Sequence, residues 1–329
     1  MKFINNQDIM DPRINLAIEE YVLYNLDPED TYLLFYSMDP SVIVGRNQNT
    51  IEEINEDCVR QHHVYVVRRL SGGGAVYNDP GDLSFSFVTK HDKDSFHNYA
   101  KFTEPVIRAL HNLGVNAELT GRNDIVVDGK KISGNAQFAT RGRMFSHGTL
   151  MFDVNLDNVE KALKVSKEKI ESKGVKSVRS RVGNIRDYLQ TDMTIEEFKQ
   201  RLLASIFEGE PAIPEYRLTS HDWEQIHRIA EERYMQWDWN YGMSPPFNVQ
   251  RQRRFPAGTV DIRLLVENGV IKHAKIYGDF FGVGDVSEFA AKLEGIRYDQ
   301  DCIEQALANV DVHHYFGNIS REALMTLLY

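Results

Sequence analysis

The chain has 329 residues, 42% hydrophobic and 26% charged, enough apolar material for one large domain with a real core and a smaller one beside it. Lys plus Arg number 38 against 48 Asp plus Glu, a net charge of −10 that repels a nucleic-acid backbone, and no apolar run has the length of a membrane span. Only Cys58 and Cys302 are present, which excludes a disulfide framework, and the polar start MKFINNQDIMDPRIN is no signal peptide; a cytoplasmic protein without nucleic-acid or membrane partners is expected.

The first element is a helix with Asp11 as its cap, Pro12 at its first position and an apolar stripe of Ile14, Ala17, Ile18, Tyr21 and Val22. Strand-like runs follow at 31–37 and 41–45, then a short helix near 50–62 with Ile51, Ile54 and Cys58 on one face. The runs 64–70 and 82–90 are β-rich and flank a glycine loop. A helix near 99–113 ends at Gly114, a hairpin spans 124–138, and 148–154 reads as a strand. Residues 157–173 read as a charged helix, and 194–208 as an amphipathic helix opened by a Thr-x-x-Glu cap signal. A further helix covers 221–234. Gly242, Pro245 and Pro246 then break the pattern, which places a domain boundary there. Beyond it come a hairpin around Asn268–Gly269 and a helical remainder, 287–329. The expected fold class is α+β, a large domain followed by a small one.

The glycine loop reads Arg68-Arg69-Leu70-Ser71-Gly72-Gly73-Gly74-Ala75-Val76-Tyr77. Consecutive glycines let the backbone approach a ligand, and successive N–H groups can form an anion-binding concavity. Strands on both sides distinguish it from a Walker A loop or a dinucleotide fingerprint, which lead into helices. A flexible hairpin tip with solvated arginines is the other reading; the Arg pair favours a phosphate or adenylate cradle. Period-two alternation sends Arg68 and Arg69 to opposite faces, and Arg69, nearer the loop, is the candidate ligand.

In the hairpin GRNDIVVDGKKISGNAQ (121–137), Asp128–Gly129 is a strong two-residue turn signal. The implied register pairs Val127 with Lys130, Val126 with Lys131, Ile125 with Ile132 and Asp124 with Ser133. Lys131 and Asp124 then share a face as diagonal neighbours, about 7–8 Å apart. A lysine ammonium can hold a carboxylate against the α-phosphorus of ATP, and an aspartate can hold Mg²⁺ on the phosphates. The same residues also fit a solvated surface turn with an exposed ion pair.

These two segments, with SHGTLMFDV (146–154) and KGVKSVRSRVGNI (173–185), resemble lipoate–protein ligases, and the resemblance runs over nearly the whole chain. It implies a mixed-sheet catalytic domain of the biotin and lipoyl protein ligase type, related to class II aminoacyl-tRNA synthetases, over 1–244. A small α+β accessory domain is implied over 245–329. The activity implied is formation of lipoyl-AMP from lipoate and ATP with Mg²⁺, followed by transfer of the lipoyl group to a lysine of an acceptor protein. Carried over by motif, Arg69, Asn123, Lys131 and the backbone of Gly74, Ala75, Val76 and Tyr77 bind the nucleotide. Lys131, Ser71, Gly73 and His147 bind lipoate, Asp124 holds Mg²⁺, and Lys131 is catalytic. From its own surroundings beside Gly148, His147 reads as a structural histidine. The partners implied are lipoyl-domain acceptors, such as glycine-cleavage H protein and the E2 subunits of 2-oxoacid dehydrogenases, met by a monomer. Such acceptors tend to be acidic, so Lys173, Lys176, Arg179 and Arg181 are candidates for steering them.

Other readings make different demands. Lipoyl and octanoyl transferases of the same fold use a cysteine nucleophile and no ATP. Cys58, on the apolar stripe of its short helix, reads as core. A biotin ligase would carry a Gly-Arg-Gly-Arg loop, which is absent. A non-enzymatic adenylate or lipoyl sensor would not turn ATP over.

Overall fold

The computed structural model describes residues 1–92, 94–121, 123–164, 181–241 and 248–328. They group into two compact units. The first comprises Met1–Ile43, Ile51–Val67 and Val76–Asn240; the second comprises Val44–Thr50, Arg68–Ala75 and Tyr241–Tyr329. The boundary expected at 244/245 lies outside the described residues.

The first unit is built on a seven-stranded sheet of order β1-β2-β6-β10-β9-β8-β7. Its strands are β1 (Lys2–Asn5), β2 (Tyr32–Tyr36), β6 (Asp82–Lys90), β7 (Glu118–Thr120), β8 (Asp124–Val127), β9 (Lys130–Thr140) and β10 (Arg143–Met151). Among the described residues β1 and β2 run parallel, and the other strand pairs of this sheet are antiparallel. A second, three-stranded sheet has the order β4-β3-β5, from β3 (Ser41–Val44), β4 (Tyr65–Arg68) and β5 (Val76–Asn78).

Alternation along β6 decides which layer each residue meets. Leu83, Phe85 and Phe87 enter a core with Phe102, Val106 and Leu110 of the helix Tyr99–Asn112 and Phe198 and Leu202 of the helix Ile195–Ile206. Ser84, Ser86 and Val88 point the other way, toward the face on which α1 (Pro12–Asn25) lies. Asp11 caps α1 as expected, and Thr194 with Glu197 forms the expected capping box. The sequence underestimates β10, which begins at Arg143 rather than 148. Its turn is Arg141–Gly142, with φ of 47° and 74°. That is the left-handed pair a tight hairpin needs, but without the usual Asn or Asp signal.

Two further elements differ from expectation. The region 50–62 is two short helices, Thr50–Glu53 and Glu56–Gln61, because Asn55 leaves the first and caps the second through Cys58 N–H. Cys58 is therefore half-buried; the residue this second helix buries is Val59. The helix Ser220–Ile229 continues as one π-helical turn, Ala230–Tyr234.

The second unit has an antiparallel sheet of order β11-β12-β13, formed by β11 (Val249–Phe255), β12 (Gly258–Glu267) and β13 (Val270–Gly278). The expected turn at Asn268–Gly269 is present, with φ of 51° and 74°; β11 was not foreseen, its run of arginines hiding the strand pattern. Val260, Ile262 and Leu264 of β12 pack against Phe289, Ile303, Phe316 and Leu324 of the following helices. Among the described residues no helix is long and apolar enough to cross a membrane.

Candidate active site

The hairpin β8–β9 turns at Asp128 and Gly129, with φ of 50° and 75°. Its first two rungs are the expected ones, Val127 opposite Lys130 and Val126 opposite Lys131. The register then shifts between Ile125 and Val126, so that Ile125 faces Ser133 and Asp124 faces Gly134, one residue beyond the expected partners. The shift falls where β9 changes neighbour. β10 pairs with β9 from Asn135 onward, whereas Lys131 N–H donates to Arg181 O (2.8 Å) and its carbonyl accepts from Gly183 N–H (3.0 Å). Bulges of this kind re-aim side chains next to active sites.

Lys131 lies along its own strand to reach the shifted rung. Its Nζ is 2.7 Å from Asp124 Oδ1. A Cβ on Gly134 would stand 2.8 Å from that Nζ and 3.0 Å from Cε, so the glycine of Lys-Ile-Ser-Gly leaves the space the ammonium occupies. With side chains 37% and 28% exposed, this ion pair contributes at most about 1 kcal/mol to stability; its effect is positional. Asn123 and Asn135 brace the same hairpin end reciprocally, each side-chain amide donating to the other's main-chain carbonyl.

On the α1 face of the sheet, His147 Nδ1 sits 2.9 Å from Glu19 Oε1, and its ring packs at 4.7 Å against Phe145. Both partners are buried, so the pair is a fixed polar element in an aromatic wall. The next residue of α1, Glu20, accepts from Tyr234 OH (2.8 Å) and pairs with Arg233 (3.2 Å), both on the π-helical turn. Burial pushes the Glu20 carboxyl above its usual range, and Arg233 pulls it partly back.

Residues the sequence reading missed are Asn78 and Asp82, just past the glycine loop, and Ser41 on the strand paired with Asn78. Ser41 Oγ, both side-chain polar atoms of Asn78 and Asp82 Oδ1 are buried without a hydrogen-bond partner among the described residues. Ser41 and Asn78 are register partners. Burial holds the Asp82 carboxyl well above the carboxylate range, with the neighbouring Asp79 charge adding to it. Such buried, unsatisfied groups call for a reason. In sequence, Ser41 and Asp82 read as the starts of strands and Asn78–Gly81 as a turn, so no local signal marks them.

The glycine loop, in the second unit, is organised by its arginines. Arg68 is buried and donates to the carbonyls of Gly45 (2.9 Å), Arg46 (2.9 Å) and Gln48 (2.7 Å) and to Thr50 Oγ1 (2.7 Å). Desolvation lowers its pKa to about 10, which still leaves it charged at neutral pH. Arg69 is also buried and turns onto the loop itself, donating to Ser71 Oγ (2.9 Å), Gly72 O (2.7 Å) and Gly74 O (2.9 Å). Arg69 is thus a staple of the glycine loop, whatever else it contacts, and Arg68 a staple of the 45–50 segment. Gly73 has φ of 93°, a conformation open to glycine. Gly74, Ala75 and Val76 remain half-buried, and Tyr77 is buried in the first unit.

Residues 11–207 match the family model described as lipoyl protein ligase A/B catalytic domain, and residues 244–328 match bacterial lipoate protein ligase C-terminus. The chain belongs to the lipoate–protein ligase family. It is 61% identical to lipoate-protein ligase LplJ of Bacillus subtilis over 331 aligned positions, covering 100% of both chains. Among solved structures, it is similar in fold to LipL1 of P. falciparum in complex with lipoate, with a TM-score of 0.79 at 22% identity over 94% of each chain. It is also similar to lipoate-protein ligase A bound with ATP, with a TM-score of 0.64 at 28% identity, covering 74% of this chain and 99% of that one. The large mixed sheet with a small α+β C-terminal unit is the α+β architecture expected of this family.

Within this ligase, the hairpin brings Lys131, Asp124, Asn123 and Gly134 together, and α1 brings Glu19 to His147. Ser71, Gly72, Gly74 and Arg69 form one hydrogen-bonded knot. Lys173, Lys176 and Arg179 lie outside the described residues, while Arg181 is placed by its carbonyl's bond to Lys131 N–H.

Proposed function

We propose that this ligase activates lipoate with ATP and transfers the lipoyl group from lipoyl-AMP to a lysine of a lipoyl-domain protein. The observation that carries the reading is the Lys131 ammonium held 2.7 Å from Asp124 above Gly134. In the first step a lipoate carboxylate oxygen attacks the α-phosphorus of ATP and pyrophosphate leaves. Lys131 holds the carboxylate beside the phosphate and stabilises the charge gathered there in the transition state. In the second step the acceptor amine attacks the acyl carbon of the mixed anhydride, loses a proton, and AMP leaves.

Arg69, Asn123 and the backbone of Gly74, Ala75, Val76 and Tyr77 hold the nucleotide in this reading. Lys131, Ser71, Gly73 and His147 bind lipoate in the same reading, His147 being fixed by Glu19. Asp124 would give Mg²⁺ one protein carboxylate, the kind of site that ion uses when phosphate oxygens complete its shell and it offsets their charge. The acceptors are glycine-cleavage H protein or E2 lipoyl domains. Arg181, with the basic residues before it, steers such acidic partners to a monomeric cytoplasmic enzyme. In this reading residues 1–244 form the catalytic domain, and residues 245–329 form a small accessory domain that assists it.

The test is lipoate-dependent exchange of labelled pyrophosphate into ATP. Wild type exchanges and Lys131→Met does not. Exchange untouched by Lys131→Met removes the proposal, and ATP-independent acyl transfer abolished by Cys58→Ser replaces it with a transferase.

A further inference from the structure

The second unit joins the glycine loop to residues more than 200 positions away in sequence, and the contacts are too close to be incidental. A Cβ on Gly72 would stand 2.6 Å from Phe280 O. One on Gly73 would meet Phe281 Cζ at 2.8 Å and Arg69 Nη2 at 3.0 Å. Phe281 and the Arg69 guanidinium therefore border the same point above the Gly73 α-carbon. Three further contacts tie the surrounding segments. Gly278 N–H donates to Asn47 O (2.7 Å), Arg46 pairs with Asp285 (2.9 Å), and Arg46 N–H donates to Ser71 O (2.9 Å).

The segment carrying Phe281 is itself rigid. Phe280 is fully buried and packs at 5.1 Å on Phe316. Val283 and Gly284 N–H both donate to His314 O, at 2.9 and 2.8 Å. A Cβ on Gly282 would fall 1.9 Å from Tyr315 O, so this backbone is pressed on its neighbour. Phe281 is thus a fixed wall, not a mobile side chain resting on a loop.

The consequence for the loop follows from peptide planarity. In a trans peptide the C=O and the next N–H point in opposite directions. Arg69 gathers the carbonyls of Gly72 and Gly74, so the N–H groups of Gly73 and Ala75 are turned away from the guanidinium. That is the orientation an anion-binding concavity requires. A glycine triplet has no side chains to hold such a shape and pays the largest backbone entropy to keep it. The staple and the aromatic wall supply what the loop lacks.

We infer that Phe281 is a positioning residue for adenylate formation: it confines the Arg69 guanidinium to the Gly72 and Gly74 carbonyls and so sets the direction of the loop amides that receive the nucleotide. This rests on the ATP-dependent reading above and gives the C-terminal unit a defined part in the first half-reaction. The loop is built jointly by residues near position 70 and residues near position 280.

The experiment compares Phe281→Ala, Phe281→Tyr, Asp285→Asn and a core control, Phe289→Leu, whose ring packs on Tyr315 and Phe316 rather than on the loop glycines. Each is measured for ATP KM and kcat in lipoate-dependent pyrophosphate exchange, for lipoyl transfer from supplied lipoyl-AMP, and for thermal stability. Phe281→Ala is expected to raise the ATP KM at least tenfold, with Phe281→Tyr restoring most of it. Asp285→Asn should raise it two- to threefold. Transfer from supplied lipoyl-AMP should fall less than exchange in every case. An ATP KM for Phe281→Ala within twofold of wild type overturns the inference. So does an equal rise in Phe289→Leu at matched stability loss, since the effect is then general loosening of the unit. If wild type shows exchange and Phe281→Ala is neutral, the inference alone fails; if wild type shows no lipoate-dependent exchange, the ligase reading fails with it.

Discussion

Gly134 in the lysine hairpin and Gly45 beneath the glycine loop both stand where a Cβ has no room, yet different atoms take up the space. At Gly134 the neighbour is the free end of a lysine, Nζ at 2.8 Å. At Gly45 it is backbone, the Gly73 carbonyl oxygen at 1.9 Å. A lysine end can swing aside at little cost, whereas a peptide group cannot move without its neighbours. The same substitution should therefore reach catalysis first in one region and stability first in the other. Charge is handled with a similar contrast: Lys131 is a half-exposed cation beside one carboxylate, while Arg68 is a buried cation fixed by main-chain oxygens. The first arrangement leaves a charge available to substrate; the second uses a charge to hold a backbone in shape.

The comparison breaks most decisively at Lys131 itself. Lys131→Met should lower lipoate-dependent pyrophosphate exchange by about 10³-fold, the scale of losing a charge-stabilising group at a transition state, with thermal stability nearly unchanged. Gly134→Ala keeps the amine but displaces it. It should cost between about 10- and 100-fold in exchange kcat, the scale of a misplacement near 1 Å, again with little change in melting temperature. An equal loss of stability would show that Gly134 serves the fold and not the lysine.

Gly45→Ala should behave in the opposite order. Urea unfolding should show a loss of about 1–3 kcal/mol, the usual cost of forcing atoms into a packed backbone, with a rise in ATP KM following from it. A stable but inactive Gly45→Ala would erase the contrast between the two regions.

A smaller effect tests the buried turn after the loop. Burial raises the Asp82 pKa, so the fold favours its neutral form. The stability this represents is present in full below the ordinary carboxylate pKa and is lost as pH rises through the raised value. Asp82→Asn should remove that loss, so urea titrations from pH 5 to 8 should show the variant gaining on wild type as pH rises. Parallel curves would mean Asp82 ionises freely. The smallest expected effect is Cys58→Ser, which should leave both half-reactions unchanged.

Much of the scaffold was legible from local signals. Asp11 and Pro12 opened the first helix, Thr194 and Glu197 made the capping box, and Asp128–Gly129 and Asn268–Gly269 made their turns. These signals work because capping and left-handed turns are decided within a few residues by backbone sterics and hydrogen bonds. The Arg141–Gly142 turn escaped because Arg carries no turn preference, and β11 escaped because its arginines mask the alternation. In the site, Lys131 and Asp124 were identified as neighbours, but the register shift that makes Gly134 their third member was not.

By itself, then, the sequence determined the main caps and hairpin turns, the family, the hairpin carrying Lys131 and the presence of a glycine loop between strands. Only the tertiary structure decided that Glu19 meets His147 across 128 positions, that Arg69 turns onto its own loop's carbonyls, and that Phe281 stands against Gly73. The division has one physical cause. Caps and turns are selected by the residues that form them, whereas a contact between distant segments exists only once sheets and helices have packed and left each side chain a single place to go.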